Sequence, residues 1–346
     1  MELEITTRRL GIASTESRPM IIRVTSRLWL LFLFLTHAAA QDIGPKADAN
    51  GVPTERSTIL QLQIFLDKHL FGPGKLDGAV GEFTYKAVVN YNYATGHRDI
   101  YNWQYALTAA AQEVPVMYAA FKIRPDLVQH VIADLPEKPE EQVNYPAMAY
   151  RSLLELVAER FHTDEAFLAK LNPDKKLEKL KAGDTVVVPN IRSFRIEEVK
   201  PMASYKADPV LSKNTIVVDT TERIAVVYGP GDKFLAGFPI TPGKPEFIPV
   251  GTWEVKTILN TPSFRYDKQF LEEGVRGGEA YQLPPGPNSP VGIIWCGISK
   301  SGIGLHGTAM PRTIGRAQSA GCVRFANWDA IRLPSLIRPG SRVIVR

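Results

Sequence analysis

The amino-acid sequence predicts a multidomain α+β protein, with a small helical domain first, an α/β module between, and a mainly β domain at the C-terminus. Residues 56–97 carry apolar side chains at helical spacing on both sides of a glycine-rich turn. Residues 147–191 combine two further helical stripes with one short β-branched run. From residue 213 onward, β-branched and aromatic runs alternate with turns rich in Gly and Pro. The predicted structure therefore changes along the chain from helical to mainly β.

The first 40 residues have the composition of a secretory signal. Arg23 and Arg27 precede the apolar run 28–35, and small residues follow at 38–40. This order of basic, apolar and small residues is typical of a cleaved signal peptide. The apolar run is also shorter than the ~20 residues that a membrane-spanning helix needs. We therefore predict a signal peptide over 1–40 and export to the periplasm or cell envelope, with an uncleaved anchor as the alternative.

Composition and charge limit the class of partner. The chain has 346 residues, of which 45% are hydrophobic and 22% charged, so it can bury a sizeable core. Its net charge is +5, and residues 1–40 account for +2 of this (five basic minus three acidic), which leaves +3 (+5 minus +2) for the exported part. Such a charge is compatible with an anionic polymer as partner. No Lys/Arg run is long enough for a nucleic-acid-binding arm, so we expect no nucleic acid as partner.

A polar, Pro- and Gly-containing linker is predicted at 41–55, followed by the helical domain at 56–97. The helical domain is too small to bury much core alone, so we expect it to pack against another part of the chain. It resembles the small helical type of peptidoglycan-binding domain at a series of positions: Leu60-Gln61, Asp77-Gly78, Gly81, Thr84 and Ala87-Val88. The resemblance implies binding to the cell wall. A helical hairpin with a purely structural role is the alternative.

The middle of the chain divides into a connecting segment at 98–146, to which the sequence assigns no role, the α/β module at 147–191, and a linker at 192–212. In the module, Leu171-Asn172-Pro173 and the run from Leu180 to Pro189 resemble LysM. This resemblance implies binding to glycans that contain N-acetylglucosamine. The strand expected before the first helix falls on Asn144–Pro146, which is short and interrupted by proline. A spacer is the alternative interpretation.

The candidate chemistry centres on Cys322, one of the two cysteines in the chain. Cysteine is an effective nucleophile as the thiolate, so it needs a base or a positive environment. His306 is the only histidine after residue 212 and stands 16 residues before Cys322 (322 minus 306), so the two can meet only if the chain between them folds back. Gly321 allows close backbone approach, and the amides of Gly321 and Cys322 are candidates for an oxyanion hole. Arg324 is a candidate for holding a substrate carboxylate or keeping the thiol ionised.

The other cysteine, Cys296, leaves two possibilities open. An exported protein with two cysteines can form a disulfide, which would join Cys296 to Cys322. Cys296 also lies in the apolar run 293–298 and is explained more simply as a small core residue. We therefore predict that Cys296 stays reduced.

Two short motifs resemble the catalytic domain of the L,D-transpeptidase family, the YkuD type. The family signature is Ile/Leu-His-Gly followed by Ser-His-Gly-Cys-x-Arg, and this chain has His306-Gly307-Thr308 and then Ser-Ala-Gly-Cys-Val-Arg at 319–324. Three further segments match in the expected order: Ile248–Trp253, Pro285–Gly292 and Asn327–Asp329. The resemblance covers about 213–346. One residue departs from it, because Ala320 stands where the family usually has a second histidine.

The resemblance implies a peptidoglycan L,D-transpeptidase that needs no metal and no cofactor. Cys322 would attack the carbonyl between the third residue and D-Ala of a stem peptide, with His306 as base and the Gly307 carbonyl orienting the histidine. An amine on a second stem would give a 3→3 cross-link, a wall-anchored protein lysine would give protein attachment, and water would give carboxypeptidase activity. The implied partners are stem peptides and glycan strands. A peptidoglycan-binding protein without catalysis is the remaining alternative, supported by Ala320.

Four positions complete the list of candidate site residues, each with a supporting or substrate-binding role implied by the family motif: Gly307, Ser319, Gly321 and Arg324.

Overall fold

The structure is a computed structural model that describes residues 52–244, 247–248, 250–273, 275–316 and 321–346. The predicted signal peptide and residues 41–51 of the predicted linker lie outside these ranges. Within them, no helix combines the length and the apolar composition that crossing a membrane requires.

The elements follow the predicted change from helix to strand. The helices are α1 Arg56–Lys68, α2 Glu82–Ala94, α3 Trp103–Glu113, α4 Pro139–Gln142, α5 Leu153–Arg160, α6 Glu165–Leu171, α7 Lys268–Glu273 and α8 Asn327–Ala330. The first strands are β1 Tyr118–Lys122, β2 Thr185–Pro189, β3 Thr215–Asp219, β4 Ile224–Gly229 and β5 Lys233–Pro239. The later strands are β6 Gly251–Asn260, β7 Phe264–Tyr266, β8 Tyr281–Leu283, β9 Ile294–Ile298, β10 Gly304–His306, β11 Val323–Arg324 and β12 Arg342–Val345.

One large sheet dominates the C-terminal part. Among the described residues it has eight strands, in the order β11-β10-β9-β6-β12-β3-β4-β5. The pairs β10–β11 and β12–β3 are parallel, and the other pairs are antiparallel. One face is lined by fully buried side chains such as Ile216, Val343 and Cys296, which belong to one continuous core. The mainly β C-terminal domain predicted from the sequence is confirmed.

The helical segment is organised around the buried side chain of Gln63. Its amide donates to the Ala79 carbonyl at 3.0 Å and to the Thr84 hydroxyl at 3.2 Å, and its carbonyl oxygen accepts from Gly78 N at 2.9 Å. Gly78 has a φ of +64°, a conformation that favours glycine. The turn and the two predicted helices are present, and α3 from the unassigned connecting segment packs on α1. Wall binding by this segment stays a prediction.

The middle segment is defined as residues 98–191. In it, β1 pairs antiparallel with β2, and the helices α5 and α6 lie between these two strands in the sequence. The expectation of a strand at Asn144–Pro146 is therefore wrong, because the partner of β2 lies further upstream at Tyr118–Lys122. The chain near Pro146 forms turns instead, and Met148 N then donates to the Pro285 carbonyl at 2.9 Å. The order strand, helices, strand is present, but glycan binding stays a prediction.

The segments before residue 213 pack directly on the large sheet. The end of the helical segment extends the edge strand β5, because Gly237 N donates to Leu70 O at 2.9 Å and Gly72 N to Gly237 O at 2.7 Å. In the predicted linker 192–212, Phe194 is buried in the core and Tyr205 N donates to Ile258 O at 3.1 Å. The described residues therefore form one compact unit, within which the proposed domain limits stay predictions.

A buried charge cluster joins the same parts of the chain. Asp67 of α1 accepts from Arg332 Nη2 at 2.8 Å and lies 3.1 Å from Nδ1 of His162, while Asp329 accepts from Arg332 Nη1 at 3.1 Å. Burial by itself would raise the pKa of Asp67, but Arg332 and His162 hold that pKa well below its usual range. The ring of His162 also stacks on Trp328. Removal of one partner would leave a buried charge uncompensated, so the cluster ties the helical and middle segments to the sheet domain.

Candidate active site

Strand register aligns the candidate base with Arg324, two residues after the candidate nucleophile. In the parallel pair β10–β11, Leu305 lies opposite Val323 and His306 lies opposite Arg324. Side chains alternate between faces along a strand, and Leu305 and Val323 belong to the buried core. His306 and Arg324 therefore point to the opposite face. Cys322 immediately precedes β11, and the charge of Arg324 acts on both its thiol and the His306 ring.

His306 is held in one tautomer. Its Nδ1 lies 2.6 Å from the Gly307 carbonyl oxygen, which can only accept, so Nδ1 carries the proton and Nε2 keeps its lone pair. The ring stacks on Trp295 of β9, with 5.6 Å between ring centroids, and is only 4% exposed. Burial, and then the charge of Arg324, lower the pKa of His306 to about 3. The imidazole is therefore neutral near neutral pH and can accept a proton.

Cys322 is partly accessible and uncharged in the resting site. Its Sγ lies 3.7 Å from the Gly302 carbonyl oxygen. Burial raises the pKa of the thiol to about 11, although a hydrogen bond from the Gly304 main chain and the charge of Arg324 act in the opposite direction. The resting pair is therefore a thiol and a neutral imidazole. Attack by sulfur requires transfer of the thiol proton as the bond forms.

Arg324 is fixed by its main chain and keeps one buried donor unpaired. Its N and O exchange hydrogen bonds of 2.9 Å with Thr241. Its Nε is buried and has no hydrogen-bond partner within the described ranges. Its charge favours the thiolate of Cys322 and the neutral form of His306. Arg324 can therefore stabilise negative charge on sulfur or bind an anionic group of a ligand.

Gly321 is required by the shape of the chain beside Cys322. Its φ is +121°, and a Cβ added at Gly243 would lie 2.4 Å from the Gly321 Cα. The φ favours glycine at 321, and the close approach of the two backbone segments leaves no room for a side chain at 243. Ser319 and Ala320 lie outside the described residues, so their predicted roles are not tested by this arrangement.

Comparison with known proteins finds a family for the sheet domain to resemble. The family model of YkuD, the L,D-transpeptidase catalytic domain, matches residues 213–345. The C-terminal domain is therefore similar to a YkuD-type L,D-transpeptidase domain.

Relatives and solved structures similar to the chain carry the same description. A candidate L,D-transpeptidase YkuD of Bacillus licheniformis is 27% identical over 192 residues, which cover 56% of this chain and 92% of the relative. A candidate L,D-transpeptidase YkuD of Bacillus subtilis is 44% identical over 59 residues, 17% of this chain and 36% of the relative. The solved L,D-transpeptidase from Mycobacterium smegmatis is 16% identical, with a TM-score of 0.32, over 49% of this chain and 76% of its own.

A small hairpin of the YkuD-type domain, not predicted from the sequence, lies beside the thiol. Strands β7 and β8 pair around α7, whose Phe270 ring packs on Gly302, the residue whose carbonyl faces Cys322. The carboxylate of Asp267 accepts from Phe270 N at 3.0 Å and from Gly277 N at 3.2 Å, which closes the loop. The only signal in the sequence was the length of the Pro/Gly-rich loops between strands.

Asn327 has a structural role near His306 that the sequence did not reveal, although the segment containing it matched the family. Helix α8 begins at Asn327, in one of the segments that matched the family. Its side-chain oxygen accepts from Thr308 N at 3.2 Å and from Ile293 N at 3.3 Å. A Cβ added at Gly307 would lie 2.1 Å from that oxygen, so Asn327 contacts the residue that orients His306.

Cys296 lies on the core face of the sheet. It pairs with Leu305, whose side chain points to the opposite face from His306, and it is fully buried. Burial raises the pKa of its thiol well above the usual range. No disulfide joins Cys296 to Cys322, so the alternative explanation of the two cysteines does not hold in this structure. The described residues contain no group of three or more His, Cys, Asp or Glu side chains able to hold a metal ion.

Proposed function

We propose that this protein is a peptidoglycan L,D-transpeptidase that works through a thioester on Cys322. The observation that carries the proposal is the pairing of β10 with β11 inside the YkuD-type domain. This pairing aligns His306, whose Nδ1 lies 2.6 Å from the Gly307 carbonyl oxygen, with Arg324, two residues after Cys322. We infer that the Cys322 thiol meets Nε2 of the neutral imidazole, the arrangement that nucleophilic catalysis by cysteine requires.

Acylation begins with the neutral pair. His306 Nε2 takes the proton of the Cys322 thiol as sulfur attacks the carbonyl between the third residue and D-Ala of a donor stem peptide. The amides of Gly321 and Cys322 stabilise the oxyanion of the tetrahedral intermediate. The carbon–nitrogen bond to D-Ala then breaks, and the departing amine takes the proton from His306. The products are free D-Ala and a Cys322 thioester.

The second half-reaction returns Cys322 to the thiol. An acceptor amine attacks the thioester carbonyl while His306 Nε2 removes its proton, and the carbon–sulfur bond breaks. The leaving sulfur recovers the proton from His306. The side-chain amine of a second stem peptide as acceptor gives a 3→3 cross-link, and a lysine of a wall-anchored protein gives protein attachment. Water as acceptor would make the protein an L,D-carboxypeptidase.

Arg324 has a role in both half-reactions. Its charge favours the ionised form of the Cys322 sulfur, so it stabilises the leaving thiolate in deacylation. Its unpaired Nε can donate to a carboxylate of the stem peptide. We further propose that Ser319 supports the substrate and that the 56–97 and 147–191 segments bind peptidoglycan after export to the cell envelope.

Two measurements on the purified protein test this function. Titration with a carbapenem should add one acyl group to Cys322, detected by intact-mass and peptide mass spectrometry, with Cys296→Ser as the matched control that still reacts. Incubation with tetrapeptide muropeptides should then release D-Ala and form a 3→3 dimer. Tripeptide without dimer would favour the carboxypeptidase. No acylation and no product would favour a non-catalytic peptidoglycan-binding protein, the alternative to which Ala320 points.

A further inference from the structure

A buried carboxyl group from outside the YkuD-type domain lies behind the catalytic histidine. Glu159 belongs to α5 of the middle segment, is 4% exposed and packs against α8. Its Oε1 accepts from Asn327 Nδ2 at 2.8 Å and from the Tyr150 hydroxyl at 3.2 Å. Burying a carboxyl group costs free energy unless its hydrogen bonds are made, so these contacts account for how the fold keeps it there.

Asn327 transmits this contact to the main chain around His306. Its Oδ1 accepts from Thr308 N and Ile293 N and lies in contact with Gly307. The Gly307 carbonyl in turn accepts from His306 Nδ1 at 2.6 Å. Three consecutive contacts therefore connect Glu159 to the ring that serves as the base in the proposed function.

The hydrogen-bond donors and acceptors around Asn327 determine which way its side-chain amide points. Its Oδ1 faces two main-chain N–H groups, so its NH2 group must face acceptors, which are Glu159 Oε1 and the Pro287 carbonyl at 3.2 Å. If the amide turned over, its NH2 group would face the N–H groups of Ile293 and Thr308. Glu159 supplies the shorter of the two acceptor contacts that prevent this rotation.

The middle segment also holds the loop on which this network rests. Met148 N donates to Pro285 O at 2.9 Å, and Asn288 Nδ2 donates to Ala149 O at 2.8 Å. A Cβ added at Gly286 would lie 2.3 Å from the Met148 carbonyl oxygen, so the two backbones are in direct contact. The loop leads into Ile293, which is itself a donor to Asn327.

We propose that Glu159 is a positioning residue for His306, supplied by the segment that precedes the catalytic domain. Its acceptor oxygen orients the Asn327 amide, which holds Gly307 and Thr308 in place, and the Gly307 carbonyl holds the imidazole. The proposal rests on the proposed function, since it assigns His306 as the base. A segment predicted to bind glycan thus also belongs to the catalytic scaffold.

The test compares Glu159→Leu with Glu159→Gln. Gln keeps an acceptor oxygen for Asn327 and Tyr150 at nearly the same volume, whereas Leu removes it. Carbapenem acylation is measured as a saturable reaction, which separates the first-order acylation rate from the binding constant. We expect Leu to lower the first-order rate ~10–100-fold, the size of effect that a displacement of about 1 Å produces, with little change in binding. Gln should stay near wild type at neutral pH.

Two further variants keep the test informative. Glu159→Asp, whose shorter side chain withdraws the acceptor, replaces Leu if circular dichroism shows that Leu does not fold. In the Asn327→Ala background, Leu should cause little additional loss, because its effect passes through Asn327. A Leu or Asp variant that folds and acylates at the wild-type rate overturns the proposal, as does an equal loss in Gln.

The outcome is distinguishable from failure of the proposed function. If the wild-type protein does not react with the carbapenem, the proposed function is wrong. The nitrogen NMR signals of the His306 ring then still report whether Glu159 positions that ring. In that case Glu159→Leu should alter the signal of the hydrogen-bonded Nδ1 while Glu159→Gln leaves it unchanged. An unaltered ring signal in Glu159→Leu would overturn the positioning role.

Discussion

The helical and middle segments both reach the loops of the active site, but they do so with different kinds of contact. The helical segment packs the Phe83 ring on Gly315, in the loop between His306 and Cys322, and Glu82 pairs with Arg223, which donates to the Gly315 carbonyl at 2.8 Å.

The middle segment places Glu159, fully enclosed, against Asn327. Half-exposed ion pairs contribute little, whereas buried hydrogen bonds are costly to break. The middle segment should therefore influence the chemistry more strongly than the helical one.

The largest expected effect sets the scale for this comparison. Cys322→Ala should abolish acylation, because the sulfur is the nucleophile of the proposed reaction. The matched control is Cys296→Ala, which removes a thiol from the core face and should react normally at a modest cost in stability. The measurement is the mass of the protein after incubation with a carbapenem. Acylation of Cys322→Ala at another residue would contradict the assignment of the nucleophile.

His306→Gln should slow acylation by ~10²–10⁴, the usual contribution of a general base. The pH profile gives an independent check. The pKa of His306 is lowered to about 3 and that of Cys322 is raised to about 11, so neither group changes protonation near neutral pH. The wild-type rate should therefore show no step from this pair between about pH 5 and 9. A wild-type rate in His306→Gln would show that Cys322 needs no base.

Arg223→Met should have a smaller effect and measures the helical segment's contribution. It removes the hydrogen bond to Gly315 O and the half-exposed pair with Glu82, for which a loss of about 1 kcal/mol in stability is typical. We expect acylation to fall less than tenfold. Arg342→Met, an exposed arginine on β12, is the control. If Arg223→Met slowed acylation more than Glu159→Leu, the helical segment would be the more important support, contrary to the comparison above.

The sequence predicted the parts of this structure that depend on local pattern. The apolar stripes of α1 and α2 and the β-branched runs of the sheet correspond to observed elements. The motif at His306 and Cys322 located the candidate dyad because cysteine and histidine chemistry limits the choice of residue.

The network behind the dyad has no local pattern. Glu159 lies next to an apolar stripe, where a charged residue normally faces solvent, and its partner Asn327 is 168 residues away. Strand β10 has only three residues, too few to show alternation, so the pairing that aligns His306 with Arg324 could not be predicted. Strand β1 was missed because its partner β2 is more than 60 residues further along the chain. Long-range contacts of this kind become visible only when the chain is folded.

The smallest expected effect on activity is that of Glu159→Gln, which should instead change how stability depends on pH. Burial raises the pKa of Glu159 to about 8, with Glu155 acting in the same direction, while the hydrogen bonds from Asn327 and Tyr150 act against it. The folded-state pKa thus lies above the ordinary value of 4.5, so the folded protein retains a proton that the unfolded chain releases. The contribution of Glu159 to the free energy of unfolding is therefore fully present below about pH 4.5 and is lost as the pH rises towards 8.

Glutamine at this position has no proton to lose. The free energy of unfolding of Glu159→Gln, relative to wild type, should therefore increase between about pH 4.5 and 8 and level off above that. The increase should reach up to ~5 kcal/mol, because each pKa unit is worth 1.36 kcal/mol. Asp329, whose pKa is raised by burial to about 7, titrates in the same window but is present in both proteins, so it cancels in the difference. Urea unfolding of both proteins at several pH values measures this difference. A difference that does not change with pH would mean that Glu159 is ionised in the folded protein, and the Asn327 contact would then involve a carboxylate.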